Sequence, residues 1–241
     1  MTVSCIIGVS DDKMNLLAGE TFLERMILMK KNGKFMVAGT GGALFLLLIA
    51  LVRFVDVEKV GPQGTAVGLS YLNKSVFERL GVNMLWYNIT DWLGILAIAA
   101  AFAFAVMGFV QLIKRKSLLK VDKEILALGI LYIAIIGLYV LFEQVIVNYR
   151  PIIMPGCTKP EASFPSSHTM LVYTIMGSTA LILGKYVKND KLCRAMQTVC
   201  VIIIAVTIIG RLISGVHWFT DILGALLIST TFLALFSKAV E

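Results

Sequence analysis

Apolar and polar positions in this chain do not alternate; the apolar ones come in long blocks separated by short charged segments. Six blocks stand out, at 35–54, 92–113, 125–147, 167–183, 196–213 and 218–236. A helix of about 20 apolar residues spans the hydrocarbon layer of a bilayer and satisfies its own backbone hydrogen bonds there. Each block is therefore expected to be a transmembrane helix, and the fold class to be an all-α integral membrane bundle of six helices. One connector, 56–91, is long. Within it Leu69, Leu72, Val76, Phe77 and Leu80 recur at the spacing of a short amphipathic helix lying in the interface. Trp86, Tyr87 and Trp92 are expected to anchor at headgroup level. Two readings of this connector are open: an ordered loop, or a gate for lipid entry.

Composition agrees with the blocks: 58% of residues are hydrophobic and the mean hydropathy is +0.86. The net charge of +7 raises the question of nucleic acid, but its distribution answers it. Basic residues gather between blocks: Arg25, Lys30, Lys31 and Lys34; Lys114, Arg115, Lys116, Lys120 and Lys123; Lys185, Lys188, Lys191 and Arg194. With no basic stripe interleaved with aromatics, no nucleic-acid partner is expected. The positive-inside rule places these segments and both termini in the cytoplasm of a multi-pass cell-membrane protein. The domain reading is a cytoplasmic segment over 1–34 and one membrane domain over 35–241. No secretory signal precedes Asp11-Asp12, and Met26 or Met29 offers an alternative start. Cys5, Cys157, Cys193 and Cys200 show neither CxxC pairing nor metal-ligand spacing. No disulfide, metal or cofactor is expected.

The chain has two histidines, His168 and His217. In this topology both map to the outer membrane surface, together with Arg150, Arg211 and Asp221. Ionisable residues near lipid are costly, so a functional role is the default expectation. His217 and Asp221 are one helical turn apart and share a face. The carboxylate there can fix the imidazole tautomer and leave the other ring nitrogen free to attack.

Three stretches carry a resemblance: Glu143-(six)-Arg150-Pro151, Pro165-Ser166-Ser167-His168 and Gly210-Arg211-(five)-His217-(three)-Asp221. In order and spacing they resemble the three signatures of the type 2 phosphatidic acid phosphatase superfamily, which shares its active site with vanadium haloperoxidases. The resemblance is firmest over 125–236. It implies a membrane lipid phosphatase with an extracytoplasmic active site, acting without metal through a phosphohistidine. By similarity His217 is the nucleophile, Asp221 orients it, and His168 protonates the leaving alkoxide and then activates water. Arg150 and Arg211 hold phosphoryl oxygens, Ser166 adds a hydroxyl donor, and amides around Ser167 cradle the anion. The implied partner is a lipid phosphate in the bilayer: undecaprenyl diphosphate first, then phosphatidylglycerol phosphate or phosphatidic acid. A phosphotransferase using the same chemistry, and a non-catalytic transporter or binding protein, are the alternatives.

Three positions depart from the signatures. Ser167 stands for glycine and Gly210 for serine. Glu143 stands for lysine, which reverses a charge beside a phosphate site. Glu143 is open to several readings: turned away, protonated, paired with Arg150 or another base, facing a cation on the substrate, or drifted at a peripheral position.

Overall fold

A helix rich in hydroxyl side chains, Ser167–Tyr186, runs through the middle of the bundle, and the more exposed apolar helices enclose it. The computed structural model describes residues 31–241, in which seven α-helices follow one another: α1 (Lys31–Phe54), α2 (Ser70–Leu80), α3 (Met84–Arg115), α4 (Lys123–Gln144), α5 (Ser167–Tyr186), α6 (Asp190–Ile213) and α7 (Phe219–Ala239). The alternative starts Met26 and Met29, and the readings made on Cys5, Arg25 and Lys30, lie outside the described residues.

α1, α3, α4, α6 and α7 are each long and apolar enough to cross a membrane. α5 falls short of that, because Ser167, His168, Thr169, Thr174, Ser178 and Thr179 dilute its apolar residues. Its polarity is accommodated inside: Thr169, Thr174 and Ser178 have no exposure at all. On one side α5 packs Val172, Ile175, Met176 and Ala180 against Ala97 of α3 and Cys200, Ile203 and Ile204 of α6. On the other, Met170 joins Phe45 and Leu48 of α1, Ile135 and Phe142 of α4, and Ala225 of α7.

Several boundaries differ from expectation, α6 for example starting at Asp190 rather than 196, and two of the differences bear on the site. α3 begins at Met84 rather than near residue 92, because the Asn83 side chain caps it, accepting from the Leu85 and Trp86 amides at 3.1 and 3.4 Å. Trp86 and Tyr87 are consequently helical and turn toward α6 instead of anchoring a loop; Trp92 remains exposed. α4 ends at Gln144, and Val147 beyond it enters the core.

The amphipathic helix expected in the long connector is α2, and a buried polar side chain docks it. Asn73 donates to the Gly68 carbonyl and Thr220 Oγ1 at 2.9 and 3.0 Å and accepts from the Thr220 amide at 3.1 Å. Phe77 adds an aromatic contact with Trp218 at 5.6 Å. α2 is thus pinned to the start of α7.

The ends of the bundle differ in charge. The basic segments gather at one end, where Lys185 pairs with Glu124, Arg115 with Asp122 at 2.8 Å, and Lys34 with Glu241 at 3.5 Å. Both histidines lie at the opposite end, His168 at the start of α5 and His217 just before α7.

α3 and α6 meet at Gly210. A Cβ there would lie 2.6 Å from the Thr90 methyl and 3.0 Å from the Trp86 ring. This accounts for glycine where the signature has serine: α3 leaves no room for a side chain. Gly210→Ser is expected to destabilise by about 1–3 kcal/mol through overpacking, read as a lowered Tm in detergent. An unchanged Tm would mean the two helices do not meet this closely.

Candidate active site

The loop between α4 and α5 doubles back on itself, pairing Tyr149 with Ala162. The Arg150 amide donates to the Glu161 carbonyl at 2.9 Å and the Ser163 amide to the Asn148 carbonyl at 3.0 Å. Trp218 Nε1 ties the loop to the α6–α7 turn by donating to the Tyr149 carbonyl at 2.7 Å. So held, Arg150 reaches across that turn. Its Nη1 lies 3.3 Å from the Val216 carbonyl and 3.4 Å from His217 Nε2, and its Nε 3.2 Å from Glu161 Oε2. The acidic partner of Arg150 is therefore Glu161, not Glu143.

His217 and Asp221 are both buried, at 3% and 0% exposure. His217 Nδ1 stands 3.6 Å from Asp221 Oδ2, beyond hydrogen-bond length but close enough to favour the tautomer protonated on that side. The same oxygen accepts the Trp218 amide at 2.9 Å, which fixes the carboxylate at the start of α7. Asn148 and Ser163 are buried beside it; sequence reasoning did not single them out. Nε2 faces the Arg150 donor and so serves as the lone-pair nitrogen. Burial, and after it the charges of Arg150, Arg211 and His168, hold the His217 imidazole well below its ordinary pKa of 6.5. It is neutral at physiological pH.

His168, Arg211 and Asp91 form an adjoining group. His168 Nε2 lies 3.0 Å from Asp91 Oδ1, and the same oxygen accepts from Arg211 Nη2. Arg211 has no exposure, and its guanidinium sits 4.8 Å from the Tyr87 ring centroid. Two of its donors, Nε and Nη1, have no partner among the described residues. A buried N–H without an acceptor costs about 1–3 kcal/mol, more on a charged group. These donors are therefore a fitting site for an anion's oxygens. Gly94, a turn beyond Asp91, leaves space for the imidazole; a Cβ there would stand 3.3 Å from His168 Cδ2.

Asp91 was missed in the sequence because it was read as the last residue of a loop. The available signal was a carboxylate between aromatic residues at the head of an apolar run.

The serines divide. Ser166 Oγ is engaged with Thr169 Oγ1 at 3.0 Å, and the Ser166 amide donates to the Asp221 carbonyl at 3.0 Å. It joins the head of α5 to the head of α7. Ser167 lines a pocket together with Glu143, Arg150 and His217. Of the residues singled out in the sequence, His217, Asp221, Arg150, Ser167 and Glu143 thus surround or adjoin one pocket. His168 and Arg211 stand within electrostatic range of His217, joined through Asp91.

The matching family model, that of the PAP2 superfamily, covers residues 144–241, which include Arg150, both histidines, Arg211 and Asp221. No curated protein matches the sequence. Among solved structures, the chain is similar to the first transmembrane PAP2 type phosphatidylglycerolphosphate phosphatase from Bacillus subtilis. The TM-score is 0.58 and the identity 17%, covering 83% of this chain and 93% of that one. That likeness is one of fold.

Because the chain holds two histidines, imidazole NMR resolves each. The His217 ring is expected to remain neutral as pH falls through 6.5, with His217→Ala assigning its signals. The unfolded chain takes up that proton first. Stability present above pH 6.5 is therefore lost as pH falls toward the lower folded-state value. A His217 midpoint at or above 6.5 would show that the ring is not desolvated as described.

Proposed function

We propose that this chain is an integral-membrane lipid phosphatase that hydrolyses a phosphate or diphosphate ester through a phosphohistidine. The observation that carries the reading is the buried Arg211, with two donors unpartnered among the described residues, in the group adjoining the buried His217. The match of residues 144–241 to the PAP2 superfamily model supports it, as does the fold likeness to a membrane phosphatase.

In the proposed sequence His217 Nε2 attacks phosphorus while Arg150 and Arg211 neutralise the phosphoryl oxygens. The P–O bond to the lipid breaks, and His168 passes its Nε2 proton to the departing alkoxide. Asp91, 3.0 Å from that nitrogen, orients the ring. Water then attacks the phosphohistidine. His168 takes the water's proton, the N–P bond breaks, and inorganic phosphate leaves. Asp221 stabilises the proton on Nδ1 throughout. Side chains supply nucleophile, acid and charge neutralisation, so no step requires a metal. We place six membrane crossings in the chain, α5 among them as the one shielded by its neighbours. The histidine end lies outside the cytoplasm because the basic segments gather at the other end.

The test is phosphate release by the purified chain over lipid mono- and diphosphates. His217→Ala is expected to abolish turnover while its thermal unfolding stays cooperative; substantial remaining release would remove His217 as nucleophile.

His168→Ala is expected to slow lipid ester hydrolysis by about a hundred- to ten-thousandfold, and an aryl phosphate with a good leaving group far less. Asp91→Asn should show the same dependence on leaving group at smaller magnitude. Equal losses on both substrates would remove the general-acid role and with it the positioning role of Asp91.

A further inference from the structure

Glu143 occupies the last turn of α4, exposed, lining the pocket that also contains Arg150, Ser167 and His217. That location puts it on the wall of the candidate site. Stability does not explain it either. A carboxylate at a helix C-terminus opposes the macrodipole, at a cost of about 0.3–1 kcal/mol. Glu143 also makes no ion pair among the described residues.

The charge around the pocket sharpens the question. Arg150 is already paired with Glu161 and Arg211 with Asp91, so each guanidinium arrives with its own carboxylate. Glu143 is an additional carboxylate without an ion-pair partner among the described residues, in a pocket proposed to take a dianionic phosphate. A substrate that carried only phosphate would meet net repulsion on this wall.

The neighbour on the same face supplies the complement. Tyr139 lies one turn before Glu143 and lines the same pocket. A carboxylate beside an aromatic face is a setting for an alkylammonium, which gains both the ion pair and a cation–π contact. A divalent ion would need several oxygen ligands. Among the described residues no three His, Cys, Asp or Glu side chains group for such an ion.

Resting on the phosphatase reading, we propose that Glu143 and Tyr139 select lipid phosphomonoesters that carry an ammonium group a few bonds from phosphorus. The ammonium would sit against α4 while the phosphoryl group faces His217. None of the three lipids inferred from family resemblance has such a group.

The test compares two lipids of equal chain length with the purified full chain: a long-chain alkyl phosphate and the same phosphate bearing a 2-amino group. The N-acetylated form serves as an uncharged control of similar bulk. The wild type is expected to favour the amino lipid by about tenfold in kcat/KM, equivalent to about 1.4 kcal/mol. The acetylated form should lose that preference. Glu143→Gln should bring the ratio close to one, and Glu143→Lys should reverse it in favour of the amine-free phosphate. Tyr139→Leu should reduce the preference in part.

Equal rates on both lipids by the wild type would overturn the proposal and leave the phosphatase standing. So would a Glu143→Gln ratio equal to that of the wild type. A preference abolished by chelator and restored by a divalent ion would also overturn it, assigning Glu143 to a bridging metal. No phosphate release from any lipid would overturn both readings together.

Discussion

A guanidinium without solvent exposure dictates much of the architecture at the histidine end. Transferring such a charge out of water is tolerable only with a counter-charge and hydrogen bonds in place. Arg211 obtains the first from Asp91 and a favourable ring face from Tyr87. Both lie on α3, so α3 must bring its first turns directly against α6. Gly210 is what lets it. The cap at Asn83 starts α3 early enough to supply both groups as helical residues. Sequence, helix boundary and buried charge are thus parts of one constraint.

The rest of the cluster is held mainly through backbone atoms. Ser166 and Asp221 are joined amide to carbonyl, Arg150 and Glu161 likewise, and the Trp218 indole hangs on the Tyr149 carbonyl. Such bonds do not depend on the rotamers of the reactive side chains. The backbone positions of the two histidines are therefore fixed while the side chains of Arg150, His168 and Asp91, which retain some exposure, can adjust.

Much of this was readable from residues alone, for identifiable reasons. The apolar blocks marked the long helices because lipid demands continuous hydrophobicity. The four-residue step from His217 to Asp221 marked a shared face because the helical period fixes it. What escaped had different causes. Asp91 was hidden by a helix that begins before its apolar run, where capping rather than hydropathy decides the boundary. Asn148 and Ser163 sit in a loop whose doubling back leaves no periodic trace. Trp86 and Tyr87 were assigned to the headgroup layer by their type, yet a buried arginine and a glycine across from them claim those rings. The hydroxyl of Ser166 was expected at the anion, but Thr169, a turn along its own helix, holds it.

The carboxylate shared by Arg211 and His168 has one more effect on a working cycle of the kind proposed. Ejecting a free anion from a low-dielectric chamber ordinarily strands the cation that held it, and that penalty slows departure. Here the counter-ion is built into α3 and never leaves, so Arg211 keeps a counter-charge when the anion departs. Product inhibition should accordingly be weak, and turnover limited elsewhere, in the exchange of hydrocarbon chains with the surrounding bilayer.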